Sequence, residues 1–188
     1  MSGIKLNLGC GQFPKEGYIN IDIDRASRAD FICDLARPPY PFRDGSVESI
    51  VAEHVLEHME NPFEVMKELR RIMKPGGELI IKVPHFTRAF THPDHKRGFD
   101  VSFPYYFSPE FKGGYAQVEF ELKSLRLKWF AQEDLKREIL SPAVYFISLA
   151  AGKVFDFFAN LCPSFCSRIW SYWVGGFEEI EFLFTKPK

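Results

Sequence analysis

Five short apolar runs near the start of the chain constrain the fold more than any other feature. Ile4, Leu6 and Leu8 alternate as a strand, and Tyr18 to Ile23, Asp30 to Asp34, Ser49 to Ala52 and Leu79 to Val83 follow in order. Near-continuous apolar runs of this length suit strands covered on both faces in a parallel sheet. Turn or helix signals separate them. The predicted class is therefore α/β, with a doubly wound, mostly parallel sheet. A helix is predicted over Pro62 to Met73: Asn61 can cap it, Pro62 suits the first helical position, and Pro75-Gly76-Gly77 stops it. Its buried stripe is Val65, Met66, Leu69, Ile72 and Met73, with Glu64, Lys67 and Arg71 facing water. A second helix is expected to start near Glu53 and carry Val55, Leu56 and Met59 inward.

The second half is aromatic. Sixteen of the 20 phenylalanines and all three tryptophans lie from Phe86 onward, whereas all five histidines fall between His54 and His95. Gly98 to Phe107 and Val118 to Phe130 return to alternating sequence. A phase slip between Leu122 and Leu125 in the latter predicts a bulge or turn. Ile180, Phe182 and Phe184 read as a closing strand. The segment 131–177 before it is too long for a hairpin connection and forms an insertion. Within it Ser141 and Pro142 start a helix running to about Leu161, with Phe146, Leu149, Val154, Phe157 and Phe158 on a broad apolar face. Lys153 and Asp156 interrupt that face, so it is a poor membrane span. It can serve as a packing layer or homodimer surface, as a lid over an apolar acceptor, or, over residues 141–174, as a membrane-surface element.

Bulk properties narrow the function. A chain of 188 residues fits one domain, taken as 1–188. Its 24 basic and 25 acidic residues leave no broad footprint for nucleic acid. Cys10, Cys33, Cys162 and Cys166 contain no C-x-x-C pair and read as reduced thiols. Strand-like sequence begins within a few residues of the start, so no leader is expected and the location is read as cytoplasmic, or peripheral to a membrane.

The stretch Leu6-Asn7-Leu8-Gly9-Cys10-Gly11 ends a strand in a glycine turn, and Asn20-Ile21-Asp22 ends the next in an acid. Ligands of open α/β sheets bind outside the carboxyl ends of the strands. Gly9 and Gly11 let a ligand approach the backbone. Asp22 is placed for two vicinal ribose hydroxyls, and Asp34, at the third strand end, for an adenine amino group. An adenosine compound across three strand ends is the expectation. A dinucleotide fingerprint fits poorly, because Pro14 stands at the third glycine position and Asp22 arrives too soon; no phosphate-binding G-K-[ST] follows.

The row of motifs resembles the class I S-adenosylmethionine-dependent methyltransferases, specifically the type-11 methyltransferase domain. The matching residues are Leu6 to Gly11, Asn20 to Ile23, Cys33-Asp34-Leu35, Pro41 to Val47, Glu53 to His58, and Leu69 to Leu79, in the family's order. The resemblance implies a Rossmann-like methyltransferase fold with an antiparallel last strand. It implies S-adenosylmethionine as cofactor, held by Gly9, Cys10 and Gly11 at its methionine part, Asp22 at the ribose, Asp34 and Leu35 at the adenine, and Glu53 and His54 on the sulfonium side. Asn7 stands where an acid is often found, and Gln12 to Gly17 is too short for a full crossover helix.

After the fifth strand, Pro84-His85-Phe86-Thr87 and Thr91-His92-Pro93-Asp94-His95 should overhang the reactive methyl group. A hydroxyl acceptor needs a base, and His92 or an Asp94–His95 pair can supply it. Loop histidines equally often only bond to backbone. His54 and His58 either face the pocket together or end a helix. His85, His92, Asp94 and His95 are ligand types, but no recognised zinc pattern accompanies them and no metal is assigned. The expected function is methyl transfer to a small-molecule acceptor, glycan- or lipid-linked. The alternatives are a non-catalytic S-adenosylmethionine-binding protein and a nucleotide-linked oxidoreductase.

Overall fold

The computed structural model of the protein describes residues 3–187, so positions 1, 2 and 188 of the expected domain lie outside the described residues. Seven strands form one sheet in the order β3-β2-β1-β4-β5-β7-β6. In chain order they are β1 (Ile4–Leu8), β2 (Ile19–Asp22), β3 (Phe31–Ile32), β4 (Val47–Glu53), β5 (Met73–Pro84), β6 (Glu121–Lys128) and β7 (Glu179–Thr185). The first five are mutually parallel, with Leu8 beside both Ile21 and Ala52, and Ala52 beside Ile81. β7 runs antiparallel between β5 and β6, as the closing-strand reading requires. The phase slip also appears: the β6 register shifts between Leu122 and Ser124.

Helical cover is thinner than a doubly wound sheet usually carries. Among the described residues the β1–β2, β2–β3 and β3–β4 connections are turns and loops. Helix α1 (Pro62–Ile72) makes the β4–β5 crossover, capped by the Asn61 side chain, which accepts from Phe63 N–H at 3.2 Å. Its chain turns extended at Met73 and enters β5, so Pro75-Gly76-Gly77 forms an irregularity inside the strand rather than the stop. The helix expected from Glu53 is a single 3₁₀ turn, Leu56–His58. The cause is His54, whose φ of 55° is left-handed and cannot continue a right-handed helix.

Gly98 to Phe107 is not a strand. It makes one bridge, His85 to Phe99, followed by a 3₁₀ turn over Phe103–Phe107 that contains Pro104. The rings explain the aromatic composition. Phe103 and Phe107 meet edge to face at 5.0 Å, and Phe107 packs on Phe120 and Phe184 at 5.6 and 5.7 Å. These side chains form a second core layer over β7, where Ile180, Phe182 and Phe184 are fully buried.

Helices α2 (Phe86–Ala89), α3 (Glu133–Ile139) and α4 (Pro142–Ala159) follow, and a short α and π-helical stretch over 163–174 leads into β7. Helix α4 is inverted relative to an ordinary surface helix. Two polar side chains near its end face the protein, while Lys153 points outward: Asp156 accepts from Trp129 N–H at 2.7 Å, and Asn160, just past the helix end, exchanges two hydrogen bonds with Leu127. These bonds cap the free edge of β6, which would otherwise present unpaired backbone groups. Tyr145, Gly152 and Ala159, seven apart, are its buried residues. A β-carbon on Gly152 would sit 2.8 Å from that of Phe130, which shows how closely helix and sheet edge meet. The outward side is apolar: Phe146, Ile147 and Phe157 are 62%, 70% and 64% exposed, which sets this helix apart from a core element.

Arg71, expected to face water, instead joins its helix to the loop before β4. Its guanidinium bonds to Glu68, Asp44, and the carbonyls of Tyr40 and Phe42. Glu68 is buried and also accepts from Tyr40 N–H. Arg71→Ala leaves that carboxylate without its counter-charge. It should lower the unfolding free energy by about 2–4 kcal/mol, read by urea denaturation.

Candidate functional site

The carboxyl ends of β1 and β2 are tied together before any ligand is considered. Gly9 and Gly11 take φ of 64° and 50°. A β-carbon at Gly9 would lie 2.5 Å from Val55 Cγ2, so that glycine is needed for the turn to pack under the next loop. At Gly11 an added β-carbon would meet nothing within 4 Å, so this side of the turn is open. Asp22 Oδ2 accepts from Gly11 N–H at 2.7 Å and Oδ1 from Asp24 N–H at 2.9 Å. Each oxygen keeps a second lone pair for an outside donor.

Asn7 is a structural residue. Its amide donates to Asn20 Oδ1 at 2.9 Å, and Asn20 in turn donates to Asp30 and accepts from Lys15 N–H. The buried pair holds the loop after β1 against β2. The short Gln12 to Gly17 crossover therefore needs no helix to keep its shape.

Cys10 is buried, and burial raises its thiol pKa; its N–H donates to Ile21 O at 3.1 Å. Asp34 accepts from Ala36 N–H at 2.9 Å and pairs with exposed Arg37 at 3.0 Å. Leu35 sends its side chain into the core, and its carbonyl accepts from Tyr40 O–H at 2.7 Å. Of the two residues expected at the adenine, only Asp34 keeps a side chain at the surface.

Glu53, at the end of β4, meets Lys15 at 3.3 Å and Lys82 at 2.7 Å. Burial opposes its charge, but Lys82 and Lys15 outweigh it and hold the carboxyl below its usual range. His54 follows. Its Nδ1 is 3.2 Å from Glu57 Oε1 and its Nε2 is 3.0 Å from Glu179 Oε2. Burial disfavours the imidazolium, yet the bonds to Glu179 and Glu57 prevail and lift its pKa to about 9. His54 is thus charged at neutral pH, between two buried carboxylates.

Beside it lies a cleft of about 530 Å³ whose lining includes His54, His58, His92, His95, Arg88 and Lys136. Three of the rings touch: His92 stacks on His95 at 4.6 Å, and His58 meets His95 edge to face at 4.9 Å. His95 Nδ1 lies 2.6 Å from Ala89 O, so it carries a hydrogen, and in the neutral ring Nε2 then has the lone pair. His92 is the reverse: Nδ1 accepts from Asp94 N–H at 3.3 Å, which leaves Nε2 as a donor. The expected Asp94–His95 pair does not form. Asp94 is exposed, its carbonyl faces His58 Nδ1, and its carboxylate makes no hydrogen bond to His95 among the described residues.

His85 leaves the candidate set as well. It is fully buried, caps α2 by accepting from Thr87 N–H, and places Nε2 2.9 Å from Ser167 Oγ. Burial pushes its pKa down to about 4. Residues that sequence reasoning missed are Glu57, Glu179, Gln132 and Lys136. Glu57 stands inside the motif His54-Val55-Leu56-Glu57-His58, so its spacing from His54 was a usable signal. Glu179 lies 125 positions from His54 and had none. A larger groove of about 820 Å³, near Asp44, Arg70 and Lys186, lies at the opposite, amino ends of the strands and holds none of these groups.

Residues 15–81 match the methyltransferase domain family. An uncharacterized protein of Methanocaldococcus jannaschii is 29% identical over 89 residues, 43% of this chain and 43% of that protein. An uncharacterized methyltransferase of Mycolicibacterium gilvum is 31% identical over 72 residues, 38% of this chain and 28% of that protein. The chain spans less than half the length of these curated relatives. The crystal structure of a SAM-dependent methyltransferase from Archaeoglobus fulgidus superposes with a TM-score of 0.59 at 15% identity, over 98% of this chain and 86% of that one, a likeness of fold.

The charged state of His54 makes a stability prediction. Its folded pKa of about 9 lies above the ordinary 6.5, so its pairing stabilises the fold fully below about pH 6.5 and is lost as pH rises through 9. The contribution is on the order of 2–3 kcal/mol. The stability difference between wild type and His54→Gln should shrink over that window, read by urea denaturation at pH 6 to 9.5, while proton resonance titration of His54 gives a midpoint near 9.

Proposed function

We propose that this chain, a member of the class I S-adenosylmethionine-dependent methyltransferases, transfers the cofactor's methyl group to a small-molecule acceptor held in the histidine cleft. One observation carries the reading. Glu53 reaches back to Lys15 beside the glycine turn, while the very next residue, His54, lines the cleft. Cofactor face and acceptor chamber thus meet at two consecutive residues at the end of β4.

The residues present fit the cofactor. The open side of Gly11 admits a ligand against the backbone, and the two spare lone pairs of Asp22 match two ribose hydroxyls. S-adenosylmethionine, when bound, supplies an electrophilic methyl group on a sulfonium. The chain itself aligns and desolvates the acceptor, the contribution such displacements need most. His95 Nε2 engages the hydrogen of the acceptor's nucleophile, and the His92 Nε2–H donates to a second acceptor oxygen. The imidazolium of His54, fixed by Glu57 and Glu179, keeps the wall between the two compartments rigid.

The inverted helix α4 favours an acceptor carried on an apolar chain, at a membrane surface. Asp156 and Asn160 are consumed by the edge of β6, so apart from Lys153 the face left outward is mostly apolar, and Tyr172 and Trp173 stand exposed on the next helical stretch. Aromatic residues of this kind favour the boundary between lipid and water. A helix hydrogen-bonded along one side to the sheet lies on the bilayer rather than through it. A homodimer through α4 is the competing reading, and a concentration-dependent mass by light scattering without vesicle binding would favour it.

Two measurements test this function. Calorimetry should show S-adenosylmethionine binding that Asp22→Ala weakens by about 1.5–3 kcal/mol, with S-adenosylhomocysteine released once an acceptor is supplied. Binding without any release across acceptors would leave a non-catalytic binder, and preference for a nicotinamide dinucleotide would point to a redox enzyme. Separately, the protein should sediment with phosphatidylcholine–phosphatidylglycerol vesicles, and the double substitution Phe157→Glu, Phe158→Glu should abolish this with cofactor affinity unchanged.

A further inference from the structure

An unusual group lies buried behind the histidines that line the cleft. Glu57 is fully buried, yet its Oε2 has no hydrogen-bond partner among the described residues. Its other oxygen is engaged by His54 at 3.2 Å. A buried carboxylate oxygen without a donor is costly, and native folds keep such atoms for a reason.

Two imidazoles stand beside it. The ligand atoms of Glu57, His58 and His95 lie within 4.8 Å of one another, and His95 Nε2 is 3.9 Å from Glu57 Oε1. Both rings make the supporting contact typical of metal-binding histidines, which donate one N–H to a carbonyl or carboxylate and keep the other nitrogen for the ion. His58 places Nδ1 3.2 Å from Asp94 O, and His95 places Nδ1 2.6 Å from Ala89 O. A carbonyl only accepts, so each Nδ1 carries a hydrogen, and in the neutral ring Nε2 then has the lone pair. Zinc bonds of ~2.0–2.2 Å bring neighbouring ligands to about 3.5 Å, so modest side-chain rotations close the set.

We infer that Glu57, His58 and His95 form a binding site for a divalent cation of the zinc class, with an open position facing the cleft. Two imidazoles and one carboxylate are the donors such ions favour, and three protein ligands with a free position are the arrangement of reactive rather than structural sites. His92 is outside the set, because its Nδ1 is occupied by Asp94 N–H. The inference rests on the reading of this cleft as the acceptor chamber and deepens it. With the ion in place, the lone pair of His95 goes to the metal, and the acceptor's oxygen occupies the open position instead of bonding to His95.

The test uses tag-free, chelator-treated full-length protein and the metal alone. Wild type should bind one equivalent of Zn²⁺ by calorimetry, and Co²⁺ should give the visible absorption of a four- or five-coordinate ion. His58→Ala, His95→Ala and Glu57→Gln, each confirmed folded by circular dichroism, should lose Zn²⁺ affinity by at least about 100-fold, the upper end of what losing a supporting partner costs. His92→Ala should lose less than tenfold. Absence of saturable one-to-one binding in wild type overturns the site, as does unchanged affinity in the two histidine variants, or an equal loss in His92→Ala. If Glu57→Gln does not fold, the two cleft-facing histidine variants decide alone. S-adenosylmethionine binding is measured on the same metal-free protein, so failure of the cation site and failure of the methyltransferase reading give different results.

Discussion

The clamp of Glu57 and Glu179 around His54 is the interaction on which the functional end of the molecule depends. One imidazolium joins the loop after β4, the 3₁₀ turn below the cleft, and the first residue of β7. Each carboxylate alone would be a buried charge, and the ring alone would deprotonate under burial. Together they form a charged triad in which each carboxylate has the imidazolium as its counter-charge, while Glu57 Oε2 still lacks a donor among the described residues. The left-handed backbone at His54 accompanies this arrangement, in which the two ring nitrogens reach carboxylates on separate elements. Strain at one residue thereby goes with a fixed loop at the carboxyl end of β4.

The sheet supplies the rest of the positioning. Placing β7 antiparallel between β5 and β6 brings Glu179 to the carboxyl end of β5, beside Pro84. A parallel last strand would have put that acid at the opposite end. The same geometry buries Phe182 and Phe184 against Phe103, Phe107 and Phe120, so the aromatic layer that stabilises β7 also fixes the acid that charges His54. Core packing and site electrostatics share one strand.

The inversion of α4 shows how edge protection can shape an outer surface. Asp156 and Asn160 are needed to pair the backbone of β6, and meeting that need turns the polar side of the helix inward. Whatever covers the apolar side must be something other than this domain's own core. A helix of this composition on an ordinary bundle would have been rotated the other way.

Much of this was legible in the sequence. The five apolar runs are all strands of the sheet: burial demands such side chains in β1, β4 and β5, whereas the edge strand β3 leaves Phe31 and Ile32 exposed. The Asn61-Pro62 start of α1, the bulge in β6 and the closing strand were likewise local signals, each set by capping, phase or alternation. The glycine turn and Asp22 were readable because their chemistry lies within 14 residues. What the sequence could not determine was which histidine faces what. His85, His92 and His95 sit within 11 positions of one another, yet one is a buried neutral cap, one a donor and one a free lone pair. Their partners are backbone carbonyls, amides and hydroxyls from other segments, and neither residue type nor spacing records those. The charge on His54 needed Glu179, from the far end of the chain, and the direction in which α4 presents its apolar side needed the edge of β6. Only the tertiary structure decides such matters, because hydrogen-bond direction and burial are properties of groups brought together in space.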